Sequence, residues 1–290
     1  MRPAALCLLL FVSAASARAA EGVAIAEADY EGRAQFKITT PGATYFYDRT
    51  GGAFSRLLDR DGRDWIAFHR ETELAFPRSA AAGYRGLPDL VAKTDPADPG
   101  AGRPGFDSCA SALAGPASIR TVSKTGRWAW TWTFTAATAR LRMEKVSADV
   151  AYWFLYEGPV GGRWSPGTHY FGADTGGPRR DRPALKSQLF ERWRWAYFGD
   201  SAVPRVLFAA QIQSDDLPDN LWYLGHENGG ALDSGDGMVV FGFGRGKAGP
   251  QFREPRDFVI GFHEGAVTDA ASHAAVRATV LRAAPELAAP

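Results

Sequence analysis

Apolar residues in this chain recur at every second position or in short runs bounded by Gly, Pro and Asp, which is the periodicity of strands. The alternation predicts strands over 36–40, 44–47, 54–58, 64–68, 118–123, 128–134, 139–146, 151–157, 190–197, 206–213, 222–227, 238–243 and 258–262. Helical character is confined to 268–284, an Ala-rich stretch that Thr268 or Asp269 can cap and that Pro285 follows. So many strands with so little helix between them predict an all-β, mainly antiparallel β-sandwich with one C-terminal helix. Trp128, Trp130 and Trp132 project from one face of a single strand, and indoles of that size are expected in the sandwich core. The strand over 190–197 repeats the device with Trp193, Trp195 and Tyr197, but Arg192 and Arg194 on its other face predict half-exposure.

The breaks between strands carry their own signals. Asp61-Gly62 predicts a two-residue hairpin turn with positive φ angles between Ser55–Leu58 and Trp65–Phe68. Residues 77–116 are rich in Pro, Gly, Ala and Asp and lack periodicity, as expected of a lid or a linker. A second break over 158–186 holds Gly161-Gly162, Gly176-Gly177-Pro178 and the basic cluster Arg179-Arg180-Asp181-Arg182. Between the breaks, Trp153-Phe154-Leu155-Tyr156-Glu157 running into Gly161-Gly162 echoes Trp222-Tyr223-Leu224 running through Glu227 into Gly229-Gly230.

Composition narrows the class. Arg2, the apolar run Ala4 to Val12 and the Ala17-Arg18-Ala19 context have the form of a secretory signal over 1–19, leaving one β domain over 20–290 and a periplasmic or extracellular location. No later run approaches the roughly 20 apolar residues of a membrane-spanning helix, so no integral membrane segment is expected after cleavage. Loss of such a leader removes Arg2, Arg18 and Cys7, taking the formal net charge from +1 to −1 and leaving Cys109 alone. A near-neutral balance argues against a nucleic-acid partner recognised through bulk charge, and one cysteine excludes an intramolecular disulfide.

The densest collection of chemistry lies in Asn220-Leu221-Trp222-Tyr223-Leu224-Gly225-His226-Glu227-Asn228-Gly229-Gly230. An imidazole, a phenol, a carboxylate and an amide beside a flat apolar indole suit a sugar. Strict alternation sets Trp222, Leu224 and His226 on one face and Tyr223, Gly225 and Glu227 on the other, so His226 and Tyr223 meet only through twist or a bulge at Gly225. A second candidate pair is His169 and Tyr170, near Arg180, whose guanidinium can lower a phenol's pKa or bind a uronate. His69, His263 and His273 read as structural, and the acids 215, 216, 219, 233 and 236 read as turn residues before calcium ligands. With no His or Cys spacing for zinc, no Walker loop and no dinucleotide fingerprint, no metal or cofactor is expected.

The order Ala43-Thr44-Tyr45-Phe46-Tyr47-Asp48, Gly51-Gly52-Ala53-Phe54-Ser55-Arg56-Leu57-Leu58-Asp59 and Gly62-Arg63-Asp64-Trp65 resembles the first hairpins of galactose mutarotase-like β-supersandwich proteins, an architecture shared with several polysaccharide lyases. The resemblance implies a two-layer supersandwich. In mutarotases a catalytic histidine stands in an Asn-His-x-Tyr-Phe context, which Thr168-His169-Tyr170-Phe171 resembles with Thr for Asn and one residue fewer before Tyr. That likeness implies an acid role for His169 and, by order alone, a base at Glu254 or Glu264.

These readings point to a carbohydrate-active protein with an oligo- or polysaccharide partner. The leading expectation is a polysaccharide lyase cleaving a uronic-acid glycan by β-elimination, with His226, Tyr223 and His169 as catalytic groups. Trp222, Asn228, Glu227, Arg180 and Tyr170 are the expected substrate contacts. Aldose 1-epimerase-like chemistry and non-catalytic carbohydrate binding or envelope assembly are the alternatives.

Overall fold

A computed structural model describes residues 22–71, 74–81, 84–226 and 234–288. In chain order the strands are β1 Ala24–Tyr30, β2 Arg33–Thr39, β3 Ala43–Asp48, β4 Ala53–Asp59, β5 Gly86–Asp89, β6 Cys109–Gly115 and β7 Ser118–Ser123. Next come β8 Ala129–Phe134, β9 Thr138–Lys145, β10 Phe154–Gly158, β11 His169–Ala173, β12 Gly176–Arg179, β13 Leu189–Glu191 and β14 Trp195–Asp200. The last are β15 Arg205–Gln211, β16 Asp219–Leu224, β17 Met238–Phe243, β18 Arg245–Gly246, β19 Gly249–Pro250 and β20 Asp257–Glu264, before helix α1 Ala270–Ala283. Two nine-stranded sheets result, ordered β1-β2-β3-β4-β5-β10-β17-β16-β13 and β12-β11-β14-β15-β20-β9-β8-β7-β6, with β18–β19 a small separate hairpin. All ladders within both sheets are antiparallel, as the alternating pattern requires.

The inner faces build the core. Trp128, Trp130 and Trp132 are fully buried, and Trp132 packs its ring 4.7 Å from Phe54 of the opposite sheet. The Trp130 indole N–H reaches a partner there too, donating to Tyr47 Oη at 2.9 Å. The outer face of the second sheet is covered by α1, whose Val276 and Val280 pack with Tyr170, Trp195, Tyr197, Val206 and Phe208. Asp269 caps this helix by accepting from Ser272 N at 2.8 Å, while Ser272 Oγ accepts from the Asp269 N–H at 3.0 Å.

Five local expectations are corrected. Asp64–Phe68 is not a strand: only Leu58 and Asp64 bridge, Asp64 Oδ1 accepts from Ile66 N and Ala67 N, and Ala67 takes a φ of 51°. In the preceding turn Gly62 alone has positive φ, 80°, so Asp61 contributes its carboxylate and not a left-handed backbone. The 190–197 segment is two strands in different sheets, crossing the sandwich at 192–194. Trp193 therefore enters the inner core while Trp195 and Tyr197 lie under α1, all buried. The 77–116 stretch contains β5 of the first sheet and all of β6 of the second, and the strap between them is tied down by Gly51 O accepting from Gly102 N at 2.9 Å and Arg103 N at 3.1 Å. The 158–186 break likewise contains β11 and β12.

Candidate functional site

Strand β16 splits the residues expected to act together. Tyr223 turns into the core between the sheets, while Trp222 and Leu224 turn outward and pack with Ala80, Met238 and Val240. His169 opens β11 in the other sheet and faces inward, so it does meet Tyr223, with ring centroids 6.4 Å apart. Trp164 wedges beside both, 5.1 Å from His169 and 5.6 Å from Tyr223. His169 Nε2 lies 3.4 Å from Asp200 Oδ2 and 3.4 Å from the Arg163 carbonyl, with 2% of its side chain exposed. Asp200 is held by Thr168 Oγ1 at 2.7 Å and Ala202 N at 2.8 Å. Burial keeps the imidazole below the ordinary histidine range even though Asp200 pulls it up. At neutral pH this is an uncharged joint between the sheets, with the imidazole closed off from solvent.

Tyr170, the next residue along β11, points the opposite way. Its hydroxyl accepts from Val267 N at 3.0 Å beside α1, and the Arg180 guanidinium lies 5.5 Å from its ring. Tyr170 and Arg180 therefore stand on the outer side of the second sheet, apart from Tyr223. Arg179 is spent on Asp181 at 2.7 Å and Glu191 at 2.9 Å. His226 is exposed beyond the end of β16, next to Gly235. Glu227 and Asn228 lie outside the described residues. Of the late glutamates, Glu264 pairs with Arg205 and Arg60 at 3.4 Å each, remote in role from Tyr223.

A different constellation forms where the outer face of the first sheet carries Trp222. Register places Glu157, Val240 and Trp222 in one row across β10, β17 and β16, and Asp89 beside Leu155 one strand further on. Arg103 arrives from the strap between β5 and β6, donates to Asp89 Oδ2, and sets its other nitrogen 3.5 Å from Glu157 Oε2. Arg245, just past the end of β17, folds back over Gly242. There is room only because residue 242 has no side chain: a Cβ would sit 2.3 Å from Leu155 Cδ2 and 3.0 Å from Arg245 Cβ. The Arg245 guanidinium lies between two indoles, 5.2 Å from Trp153 and 5.6 Å from Trp222, and its buried Nη1 has no hydrogen-bond partner. Lys93 stands over Tyr84 at 4.3 Å and feels the Arg103 charge.

Among the described residues, Arg103, Arg245 and Lys93 thus gather with Asp89 and Glu157 in a largely buried setting. Burial pushes both acids up, Glu157 to about 7, with the Asp89 charge adding to the rise and Arg103 opposing it. Asp89, in closer contact with Arg103, is the carboxylate that keeps the negative charge, and Glu157 is the one able to hold or release a proton near neutrality. Burial also lowers the pKa of Arg245 and of Lys93. A proton-exchanging carboxyl, an unsatisfied guanidinium N–H and two flanking indoles form an arrangement that can hold an anionic, flat-faced ligand and exchange a proton with it.

Sequence reasoning had found only Trp222 of this group. The other members come from four separate segments, and the one signal that foreshadowed them was the echo between the Trp153 and Trp222 segments, whose indoles flank the same arginine. Among the described residues no group of His, Cys, Asp and Glu is arranged to hold a metal ion. The acids 215, 219 and 236 are engaged instead: Asp215 with Arg256 at 2.7 Å, Asp219 with Gly244 N and Trp193 N, and Asp236 with Ser79, Ala80 N and Ala81 N. No helix among the described residues is long and apolar enough to cross a membrane.

No family model matches the chain, and no curated protein matches it either. Solved structures do. The chain is similar in fold to HI1317, with a TM-score of 0.54 at 10% identity, covering 82% of this chain and 96% of that one. It is also similar to a galactose mutarotase-like protein from Lactobacillus casei, with a TM-score of 0.49 at 10% identity over 79% of this chain and all of that one. Heparan sulfate lyase from Pedobacter heparinus gives a TM-score of 0.41 at 8% identity, over 86% of this chain and 36% of that one. Likeness at such identities is one of fold, and it extends well beyond the opening hairpins that first carried the resemblance.

Proposed function

We propose that this chain is an exported carbohydrate-active protein that binds an acidic sugar on the outer face of its first sheet and cleaves a uronic-acid glycan there by β-elimination. The observation that carries the reading is Arg245, held between Trp153 and Trp222 with a partnerless N–H, beside the Glu157 carboxyl. A uronate carboxylate on Arg245 has its charge neutralised, which acidifies the adjacent C5–H. A base then takes the C5 proton, the C–H electron pair forms the C4=C5 bond, and the C4–O bond breaks with its pair and a proton passing to the leaving oxygen. Glu157 is assigned one of these proton transfers and His226, beyond the end of the same strand as Trp222, the other. Trp222, the expected stacking surface, is itself buried and supports the Arg245 guanidinium from one side, so the half-buried Trp153 is assigned the stacking role. Tyr223 and His169 act indirectly, by fixing β16 and the loop after β10 from behind.

The partnerless Arg245 N–H favours this reading over epimerisation of a neutral aldose, which offers it no carboxylate. The leader-like start fits a polymer met outside the cytoplasm. The test is incubation with a panel of uronic-acid polysaccharides while the absorbance of the unsaturated product is followed. Product from the native chain, lost in Arg245→Met and Glu157→Gln, is the expected result. Binding without product supports a non-catalytic carbohydrate-binding protein, and conversion of neutral aldoses alone supports the epimerase.

A further inference from the structure

We propose that the groove next to Arg245, floored by Phe190 and flanked by Lys186 and Lys247, is an extension subsite that holds the next acidic sugar of a polyanionic glycan. This rests on the uronate reading of the Arg245 site and gives it a substrate length. The groove is a cavity of about 340 Å³ lined by Leu185, Lys186, Ser187, Gln188, Phe190 and Lys247, within the size range of sugar-sized ligand sites. Two covalent and packing links join it to the Arg245 site. Lys247 stands two residues past Arg245 on the β18–β19 turn, and Leu185 packs against the cluster that contains Trp222.

The chemistry of the groove repeats that of the site in a more open form. Lys247 Nζ lies 5.6 Å from the Phe190 ring centroid, setting a cation beside an apolar plane. Lys186 and Lys247 are both exposed, and neither makes an ion pair with a described carboxylate. Glu191, the acid nearest along β13, is held by both Arg179 contacts at 2.9 Å and so does not neutralise them. Two uncompensated ammonium groups beside a ring favour a sugar that carries a carboxylate or sulfate over a neutral one, and the open setting makes that attraction sensitive to salt.

The experiment is calorimetric titration of the full chain with a uronic-acid monosaccharide, disaccharide and tetrasaccharide, and with a neutral tetrasaccharide, at low and high salt. The expected result is that affinity rises with length for the acidic series alone. Lys186→Met/Lys247→Met removes about fivefold of that gain together with its salt dependence, leaving monosaccharide affinity unchanged. Phe190→Ala lowers tetrasaccharide affinity at both salt levels, because stacking is not screened. A length gain that survives the double lysine variant, an equal gain for the neutral series, or no gain at all overturns the subsite. Loss of monosaccharide binding in the double variant overturns it as well, since the lysines then belong to the first site. Failure of the Arg245 reading looks different: monosaccharide binding is then absent or indifferent to Arg245→Met, while lysine-dependent oligosaccharide binding persists.

Discussion

Two buried groups of titratable side chains flank β16, and they differ in what surrounds them. Behind the sheet, His169, Asp200, Thr168, Trp164 and Tyr223 cluster between the layers of the sandwich, with Thr168 and His169 Nε2 against Asp200, while His169 Nδ1 and Trp164 Nε1 are buried without a hydrogen-bond partner among the described residues. In front, Asp89, Arg103, Glu157 and Arg245 lie under the strap that carries Tyr84 and Arg103, with one Arg245 N–H left without a partner between Trp153 and Trp222. The rear group offers the more familiar catalytic residue types, a histidine with an aspartate and a tyrosine. The front group has a partnerless charged donor and the open groove alongside. Both groups hold buried unsatisfied atoms, so what separates them is that the front one's includes a charged guanidinium donor set between two indoles.

The contrast can be broken most sharply at Arg103. Arg103→Met strands Asp89 and Glu157 under the strap, and a loss of about 3–5 kcal/mol in denaturant unfolding is expected. A loss below that seen on mutating the rear group would mean that water already reaches the front. Asp200→Ala in the rear group should cost about 1–3 kcal/mol by leaving Thr168 and His169 short of an acceptor, with no change in ligand affinity. An altered Kd for acidic sugar in that variant would place the rear group in the site.

Titration separates the two groups by sign. Glu157 holds its proton in the folded chain up to about pH 7 but only to about 4.5 when unfolded, so its contribution makes stability fall as pH rises through that window. His169 has its folded pKa lowered below 6.5, so its contribution is lost as pH falls from 6.5. Melting temperatures of Glu157→Gln and His169→Gln between pH 4.5 and 7.5 should therefore tilt in opposite directions relative to the native chain. The smallest effect belongs to Lys247→Met, which should leave unfolding free energy within about 0.5 kcal/mol because the side chain is exposed.

The fold class was legible because alternation and burial are tied strand by strand, as the row Trp128, Trp130, Trp132 illustrates. What alternation could not report is which sheet a strand joins. The continuous pattern over 190–197 spans a crossing between layers, because its apolar residues are buried on either side of the change. Strands β11 and β12 were hidden by Gly and Pro, which read as loop while forming an edge of the second sheet. The site was less legible for a related reason. His226, Tyr223 and Trp222 are neighbours in sequence, yet the pleat sends two of them to opposite sides. Asp89, Arg103, Glu157 and Arg245 are distant in sequence and meet only because β5, β10 and β17 are adjacent in the sheet.

The bare backbone at Gly242 has a mechanical consequence. The ribbon that carries both Arg245 and Lys247 packs over it at Arg245 Cβ, so the two cations share one point of support. A single methyl group there would crowd Leu155 Cδ2 and Arg245 Cβ, so on the proposed reading Gly242→Ala disturbs the grip on an acidic sugar without touching a charged residue.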